Sequence, residues 1–210
     1  MANLLRAIFG TSLLLVAAIA PVSWSIAQTN TQEAPANPKP KPKPKPKPKP
    51  PAEAAAPPAI GGVQPTLLGT YGDWGAYTAS PGGKKMCFAL AKPSKSETVP
   101  PNRPRDPSYF FISSRPAEKV KDEVSIIIGY GFKPNSEATI ELAGASYAMY
   151  TQNDGAWLKN AAEEPRLVEA MRKGSDVTVK GESARGTATV DVYSLKGLSQ
   201  ALDKVAEDCQ

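Results

Sequence analysis

Alternating lysine and proline fill positions 39–50, a repeat of six Lys-Pro pairs. Each proline fixes its own φ near −65°, lacks a backbone N–H donor and restricts the preceding residue to the β and polyproline II region. The repeat therefore cannot form an α-helix or a central strand, and we predict an extended polyproline II rod. At about 3.1 Å per residue, these twelve residues extend to roughly 37 Å.

The spacing of the lysines limits what the repeat can bind. Proline-recognition domains read Pro-x-x-Pro, whereas strict alternation places a lysine three residues after the repeat prolines from Pro40 to Pro46; the exception is Pro48, which has Pro51 at that spacing. A polyproline II helix turns by about 120° per residue, so the lysines point around the whole rod, and no aromatic side chain lies among them to stack on bases. We predict loose, salt-sensitive contact with anionic surfaces such as phospholipid or cell-wall polymer. The lysines concerned are Lys39, Lys41, Lys43, Lys45, Lys47 and Lys49.

Residues 28–66, which include the repeat, have the composition of a disordered linker. More than half of the 22 prolines lie between positions 35 and 65, and few residues there have apolar surface to bury. The formal net charge of +5 also comes from outside the domain, because residues 67–210 contain 18 Lys and Arg and 18 Asp and Glu. The basic pI of about 9.1 is thus not a property of the domain. We expect no nucleic-acid partner.

Residues 1–27 have the features of a secretory signal peptide. Arg6 provides the positive n-region, an unbroken apolar run follows, and small residues precede a cleavage site between Ala27 and Gln28. We predict cleavage there and a periplasmic or surface-exposed mature protein. The alternative is an uncleaved anchor in the inner membrane, because residues 7–27 carry no charge and number about the 20 that a membrane helix needs.

Short segments rich in aromatic and β-branched residues, separated by Gly, Pro, Asn and Asp, follow from residue 67 onward. Such segments are typical of strands joined by turns. We predict strands at 67–71, 74–79, 85–91, 108–114, 122–130, 137–143, 146–152, 176–181 and 187–194. Residues 92–107 contain too many prolines for either a helix or a strand.

Two segments have helical periodicity. Residues 163–173 place apolar side chains on one face and stop at Gly174, and residues 198–206 repeat the pattern near the C-terminus. The predicted fold is therefore mainly β: a β-sandwich or barrel-like domain of about eight or nine short strands with one or two short helices, including a C-terminal helix. It comprises residues 67–210, after the arm.

The residue types needed for common catalytic sites are scarce. The chain has no histidine, which excludes the commonest general base, His-containing triads and the usual zinc sites. It also has no Ser-x-x-Lys and no Gly-x-Ser-x-Gly motif. The carboxylate pairs Asp122/Glu123 and Glu163/Glu164 are adjacent in sequence, so their side chains diverge, and we interpret them as solvated surface. We expect no catalytic residue, cofactor or metal ligand.

Two further features allow either a binding or a structural interpretation. The glycines in residues 126–132 could cradle a phosphate, but the phosphate-loop motif is absent, and we expect a buried strand that ends in a bulge or tight turn. Trp74 and Trp157 lie near glycines and could form a ligand platform. A single tryptophan in a small β domain more often belongs to the core, which is the interpretation that we prefer.

The two cysteines, Cys87 and Cys209, fit an exported protein. An oxidising compartment permits one disulfide between them that closes nearly the whole domain. The alternative is a redox or metal site. It is disfavoured because the chain has no Cys-x-x-Cys motif and no histidine.

Two motifs at opposite ends of the domain resemble those of one family of exported proteins. They are YGDWGAYTASPGGKKMCFALAKP at residues 71–93 and YSLKGLSQALDKVAEDC at residues 193–209. Together they are similar to the invasion-associated locus B family of alphaproteobacteria. The resemblance implies a periplasmic or surface-associated, mainly β domain without an established enzymatic activity. Many members carry a further cysteine near the position of Thr78, and its absence here favours the pairing of Cys87 with Cys209.

The first functional hypothesis is a non-enzymatic binding or accessory protein of the cell envelope, whose domain is held away from the membrane or wall by the stiff arm. Its expected partner is an unidentified envelope protein, or a cell-wall or anionic surface. Two alternatives stay open. One is an envelope structural protein that contacts cell wall or anionic lipid through the arm; the other is a carboxylate-based enzyme or enzyme inhibitor. If the leader is cleaved, we expect no transmembrane segment.

Overall fold

The computed structural model describes residues 57–210. The predicted signal peptide with its cleavage site, and the six lysines of the Lys-Pro repeat, lie outside the described residues. Residues 57–65, from the predicted linker, precede the first strand and contain a short bridge between Ile60 and Val63. The backbone N–H of each of these two residues donates to the carbonyl of the other, at 2.9 and 3.0 Å.

Eleven antiparallel strands form one sheet, and two helices accompany it. This confirms the predicted mainly β domain with a C-terminal helix, although the number of strands exceeds the predicted eight or nine. The strands are β1 (Thr66–Tyr71), β2 (Trp74–Ala79), β3 (Met86–Ala91), β4 (Lys95–Val99), β5 (Tyr109–Arg115), β6 (Val120–Ile127), β7 (Glu137–Leu142), β8 (Ala145–Gln152), β9 (Gly155–Leu158), β10 (Asp176–Glu182) and β11 (Ala188–Ser194). The helices are α1 (Glu164–Lys173) and α2 (Leu198–Asp208).

The sheet curves until strands near its two ends face each other. Its order is β1-β2-β3-β5-β6-β9-β8-β7-β10-β11-β4, so β2 and β11 are far apart along the sheet. Nevertheless the indole N–H of Trp74 on β2 donates to the carbonyl of Ser194 on β11 at 2.8 Å. The rings of Phe110 on β5 and Tyr193 on β11 also meet edge to face, with centroids 5.3 Å apart. The curvature encloses one main core, as in a barrel-like architecture.

Side chains from both halves of the sheet and from both helices fill this core. Successive side chains of a strand point to opposite faces, so every second residue points inward. Burying each large apolar side chain stabilises the fold by about 1.5–3 kcal/mol. The largest fully buried side chains of this core are Trp74, Phe110, Ile112, Ile126, Ile128, Ile140, Met149, Leu167, Met171, Tyr193 and Leu198.

A second, smaller apolar cluster lies on the outer face of β2, β3 and β5. The rings of Tyr77 and Phe88 stack with centroids 5.5 Å apart, and the ring of Phe111 lies at the same distance from Phe88. Ile60, from the segment before β1, packs against this cluster. These three strands therefore bury apolar side chains on both faces, which explains their nearly continuous apolar sequences.

The two helices cover different parts of the sheet. Helix α1 has a proline in its first turn, where the missing N–H costs no hydrogen bond, and packs against β6. Helix α2 packs against β1, β2 and β3 with its buried side chains Leu198, Ala201, Leu202 and Val205. Within residues 57–210, neither helix has the length and apolar character to cross a membrane.

A disulfide joins Cys87 on β3 to Cys209, the residue directly after α2. The two Cα atoms are 5.9 Å apart, although 122 positions separate the cysteines in sequence. The pairing is the one that the sequence predicts. It holds the end of α2 against β3.

Two strands are absent from the sequence-based prediction. The statement that residues 92–107 contain neither helix nor strand is wrong for β4, whose five residues contain no proline. An edge strand needs pairing on one side only, and β4 pairs with β11 alone, between prolines at both ends. Strand β9 has only four residues, which is too few for an alternating pattern to be recognised.

Candidate functional site

A cleft of about 720 Å³ opens at one end of the β4–β11 strand pair. Val99, the last residue of β4, pairs with Ala188, the first residue of β11. The chain that leaves β4 and the chain that enters β11 therefore meet at the same end of the sheet. One wall of the cleft comes from residues 98–105 and the other from residues 183–187.

The wall after β4 is held in place by Arg105. Its guanidinium donates to the carbonyl of Ile128 at 3.0 Å and to the hydroxyl of Ser96 at 3.1 Å. It also forms an ion pair with Asp191 on β11, whose side chain is fully buried. Buried charges are stable only when paired and hydrogen-bonded, and Arg105 meets both conditions. The residues just before it, including Arg103, are thereby fixed beside the cleft.

The opposite wall is the hairpin between β10 and β11, and Ser183 determines its shape. The Ser183 hydroxyl oxygen accepts from the backbone N–H groups of Arg185 and Thr187, at 3.3 and 3.1 Å. The backbone N–H of Ser183 donates to the carbonyl of Thr187 at 2.9 Å, and that of Ala184 donates to the carbonyl of Gly131 at 3.0 Å. Within residues 57–210 the Arg185 side chain forms no hydrogen bond or ion pair, and it is exposed and lines the cleft.

Tyr130, Gly131 and Thr189 complete the lining. The hydroxyls of Tyr130 and Thr189 lie 2.6 Å apart. The Arg105 guanidinium lies 6.0 Å from the centre of the Tyr130 ring. Burial raises the pKa of the Tyr130 hydroxyl, so this group stays protonated and can donate a hydrogen bond over the physiological pH range.

Gly129 explains how Tyr130 reaches this position. Its φ is +81°, and a Cβ atom there would lie 2.0 Å from the carbonyl oxygen of Asp106. The backbone N–H of Asp106 donates to the carbonyl of Gly129 at 3.0 Å, so the two segments touch directly. The predicted buried strand with a tight turn at its end is confirmed here. The turn has the additional effect of directing Tyr130 into the cleft.

The charge of the lining is one-sided. Arg103, Arg105 and Arg185 line the cleft, and no carboxylate among residues 57–210 does. Asp191 neutralises Arg105, whereas neither Arg103 nor Arg185 has an ion-pair partner within residues 57–210. Both of these residues are exposed to solvent. Two uncompensated positive charges therefore lie in one cleft of a domain that carries equal numbers of positive and negative residues.

The structure separates the two tryptophans that the sequence analysis pairs. Trp74 is completely buried in the main core, as expected. Trp157 lies outside both apolar clusters, on the outer face, so its assignment to the core is wrong. Its ring stacks on that of Tyr150, with centroids 5.6 Å apart, because the two residues are directly opposite each other on β9 and β8. The two tryptophans therefore form no common platform.

The adjacent carboxylates do not converge on the cleft. Glu123 forms two hydrogen bonds with the Arg115 guanidinium, at 2.9 and 2.8 Å. Glu164 is partly buried and accepts from the backbone N–H of Val124 at 3.2 Å. Their interpretation as purely solvated surface is thus too simple for these two residues. No group of three or more potential metal ligands occurs among residues 57–210.

The residues that line the cleft were not recognised as a site from the sequence. Arg103 and Arg185 are separated by about 80 positions, and only the pairing of β4 with β11 brings their segments together. Because β4 is absent from the sequence-based prediction, its pairing with β11 is absent as well. The sequence feature that could have indicated the site is the pair Arg103 and Arg105 between prolines. It was interpreted only as part of a proline-rich loop.

Comparison with known proteins assigns the domain to a family. The family model described as invasion associated locus B (IalB) protein matches residues 74–206. The chain belongs to this family. The matched region begins at the buried Trp74 and extends into α2, so it includes both walls of the cleft and excludes the Lys-Pro repeat. No curated protein and no solved structure matches the chain.

Membership of the IalB family agrees with the resemblance found in the two end motifs. It supports an exported accessory protein as the coarse description of the chain. The two motifs are also neighbours in the fold, because α2 packs on β2 and β3 and the disulfide joins them. The two motifs, at residues 71–93 and 193–209, are thus in contact with each other in the folded IalB domain.

Proposed function

We propose that this IalB-family protein is a non-enzymatic accessory protein of the cell envelope that binds a ligand in the cleft between residues 98–105 and 183–187. The predicted signal peptide supports export, and the disulfide between Cys87 and Cys209 fits an oxidising compartment such as the periplasm. The arm carries the domain at a distance from the membrane or wall.

One observation carries this proposal: Arg103 and Arg185 present uncompensated guanidinium groups in a cleft of fixed shape. Guanidinium stays protonated at every physiological pH, so it offers charge and hydrogen-bond donors but does not act as a proton-transfer group. The other lining groups are hydroxyls, prolines and small residues. Such a lining is suited to hold a ligand rather than to transform it.

The six lysines of the repeat, from Lys39 to Lys49, have a second proposed role. Their charges repel one another, which favours an extended arm, and they can associate weakly with anionic lipid or cell-wall polymer. This association would hold the chain at the envelope through the arm, while the domain stays away from the surface and its cleft remains free. In this proposal the arm determines location, and the cleft determines which ligand is bound.

Affinity capture from an envelope extract tests this division of roles. Three baits are needed: the mature chain, the mature chain lacking residues 39–50, and the R103Q/R185Q double variant. If a ligand or partner binds in the cleft, the mature chain and the chain lacking residues 39–50 should both capture it. The R103Q/R185Q variant should not. Retention of the same molecules by all three baits would contradict a role of the cleft, and loss from the arm-deleted bait alone would place binding in the arm.

A further inference from the structure

We propose that the ligand of this cleft carries a phosphate group, which Arg103 and Arg185 bind from the two walls. The inference rests on the proposed function, since it assumes that the cleft is a ligand site. It adds the chemical class of the ligand.

Charge is the first argument. The two unpaired guanidiniums give the cleft two net positive charges after Asp191 has compensated Arg105. A phosphomonoester above its second pKa, near 6, carries a charge close to −2, whereas a carboxylate carries −1. Guanidinium also presents paired N–H donors that match the spacing of phosphate oxygens. A single phosphate group therefore balances the cleft, and a single carboxylate does not.

The hydroxyl groups of the lining are the second argument. The oxygen of Thr98 already accepts from the backbone N–H of Arg103 at 3.1 Å, and that of Ser183 accepts from two backbone N–H groups. Each hydroxyl keeps its own proton for donation. The hydroxyls of Tyr130 and Thr189 also line the cleft, but they bond to each other at 2.6 Å and Thr189 donates to the Gly181 carbonyl at 3.4 Å. The hydroxyl donors left for a ligand are therefore those of Thr98 and Ser183. A phosphate group has three terminal oxygens that accept such hydrogen bonds in addition to those from arginine.

Rigidity is the third argument. The backbone beside Arg103 is fixed by its hydrogen bond to Thr98 and by the buried ion pair of Arg105, two residues further on. The backbone of Arg185 is fixed by Ser183. The two long arginine side chains are then the groups that still have to be ordered when a ligand binds. The walls themselves are already in place.

Titration of the purified, oxidised mature chain tests the proposal directly. The probes are inorganic phosphate and glycerol 3-phosphate, followed with heteronuclear spectra or calorimetry, with acetate at the same ionic strength for comparison. Vesicles that contain phosphatidic acid, compared with pure phosphatidylcholine vesicles, distinguish a lipid headgroup from a soluble phosphate. The arm is present in every protein compared, so any difference between cleft variants reports on the cleft.

We expect R103Q and R185Q each to weaken phosphate binding at least tenfold, which is about 1.4 kcal/mol, and the double variant to abolish it, because each substitution removes a charge-assisted hydrogen bond. The matched control is R166Q, which removes an exposed arginine on α1 outside the cleft and leaves binding unchanged. R103K/R185K retains the charge without the paired donors and should have intermediate affinity. Affinity for glycerol 3-phosphate should increase from pH 5 to pH 7, as the phosphate loses its second proton.

Several results would overturn the proposal. These are no phosphate binding by the intact chain, equal binding by the R103Q/R185Q variant, or equal affinity for acetate. If phosphate fails to bind but the double variant still loses a molecule in the envelope capture experiment, the ligand class is wrong and the proposed function stands. If neither experiment depends on Arg103 and Arg185, both proposals are wrong. The R103K/R185K variant also covers the case in which the glutamine variant unfolds.

Discussion

Arg105 and Asp191 form an ion pair in which the carboxylate is fully buried and the guanidinium side chain is 12% exposed. The pair joins the proline-rich segment after β4 to the middle of β11. One carboxylate oxygen, Oδ2, has no hydrogen-bond partner within residues 57–210, so Arg105 is the principal compensation for this buried charge. This ion pair therefore acts together with the Arg105 hydrogen bonds to Ile128 and Ser96 to hold one cleft wall against β11.

Removing either charge of this pair should destabilise the domain strongly. We expect D191N or R105Q to lower the free energy of unfolding by about 3–5 kcal/mol, because each leaves the opposite charge buried without its partner. Denaturant unfolding of the oxidised protein measures this loss. The R105Q/D191N double variant should lose less free energy of unfolding than the two single variants lose together, because it leaves no buried charge without a partner. Additive losses would show that the two side chains act independently.

Loss of the disulfide should also lower stability. The bridge between Cys87 and Cys209 closes a loop of 122 residues, and the chain-entropy model gives about 4–5 kcal/mol for a loop of this length. We expect the C87S/C209S variant to unfold at a clearly lower denaturant concentration than the oxidised parent. Addition of reductant should lower the unfolding midpoint of the parent to that of the variant. The midpoint of the variant should not change. An identical midpoint for oxidised and reduced parent would contradict this expectation.

Glu164 gives the domain a specific dependence on pH. Burial raises the pKa of its carboxyl group, the nearby Glu123 and Asp122 raise it further, and the Val124 N–H and Arg115 lower it by less. The folded state therefore retains a proton that the unfolded state releases. As a consequence, the free energy of unfolding contributed by this group falls as pH rises from about 4.3, the ordinary glutamate value, through the raised folded pKa.

The E164Q variant removes this dependence and keeps an oxygen that can accept from Val124. Between pH 4 and pH 7, the unfolding free energy of E164Q should decrease less than that of the parent. Urea unfolding at each pH measures this difference. The control is E169Q on the same helix, where the carboxylate is exposed and forms a surface pair with Lys173. Surface pairs of this kind contribute only a few tenths of a kcal/mol. Parallel pH profiles for parent and E164Q would contradict the assignment.

Deletion of residues 39–50 should leave the domain intact. The repeat has no apolar side chain apart from proline and lies outside the region matched by the family model. We expect an unchanged melting temperature, together with weaker sedimentation with purified cell wall at low salt. High salt should remove the sedimentation of the parent as well, because screening weakens exposed charge interactions. A lower melting temperature of the deletion variant would show that the arm belongs to the fold.

The sequence predicts the individual strands well where burial differs between the two faces. Strands β7 and β10 alternate buried and less buried residues along their length, and this alternation is visible in their sequences. Strand β4 could not be recognised in this way because nearly all of its residues are exposed at the edge of the sheet. Its position depends on backbone hydrogen bonds to β11, which do not require a particular side chain.

The cleft could not be derived from local patterns for a related reason. Its walls are two connecting segments, and their proximity results from the register of β4 and β11, in which Val99 lies opposite Ala188. The ion pair between Arg105 and Asp191 is equally non-local, since 86 positions separate the two residues. By contrast, the disulfide was accessible from the sequence because the chain contains only two cysteines.

The position of helix α2 determines when the fold can be completed. This helix covers the inner faces of β1, β2 and β3, and the cysteine that follows it is the bonding partner of Cys87. The first strands made by the ribosome thus expose apolar surface until the last helix has been synthesised. Apolar surface that stays exposed in this way before folding is complete favours aggregation.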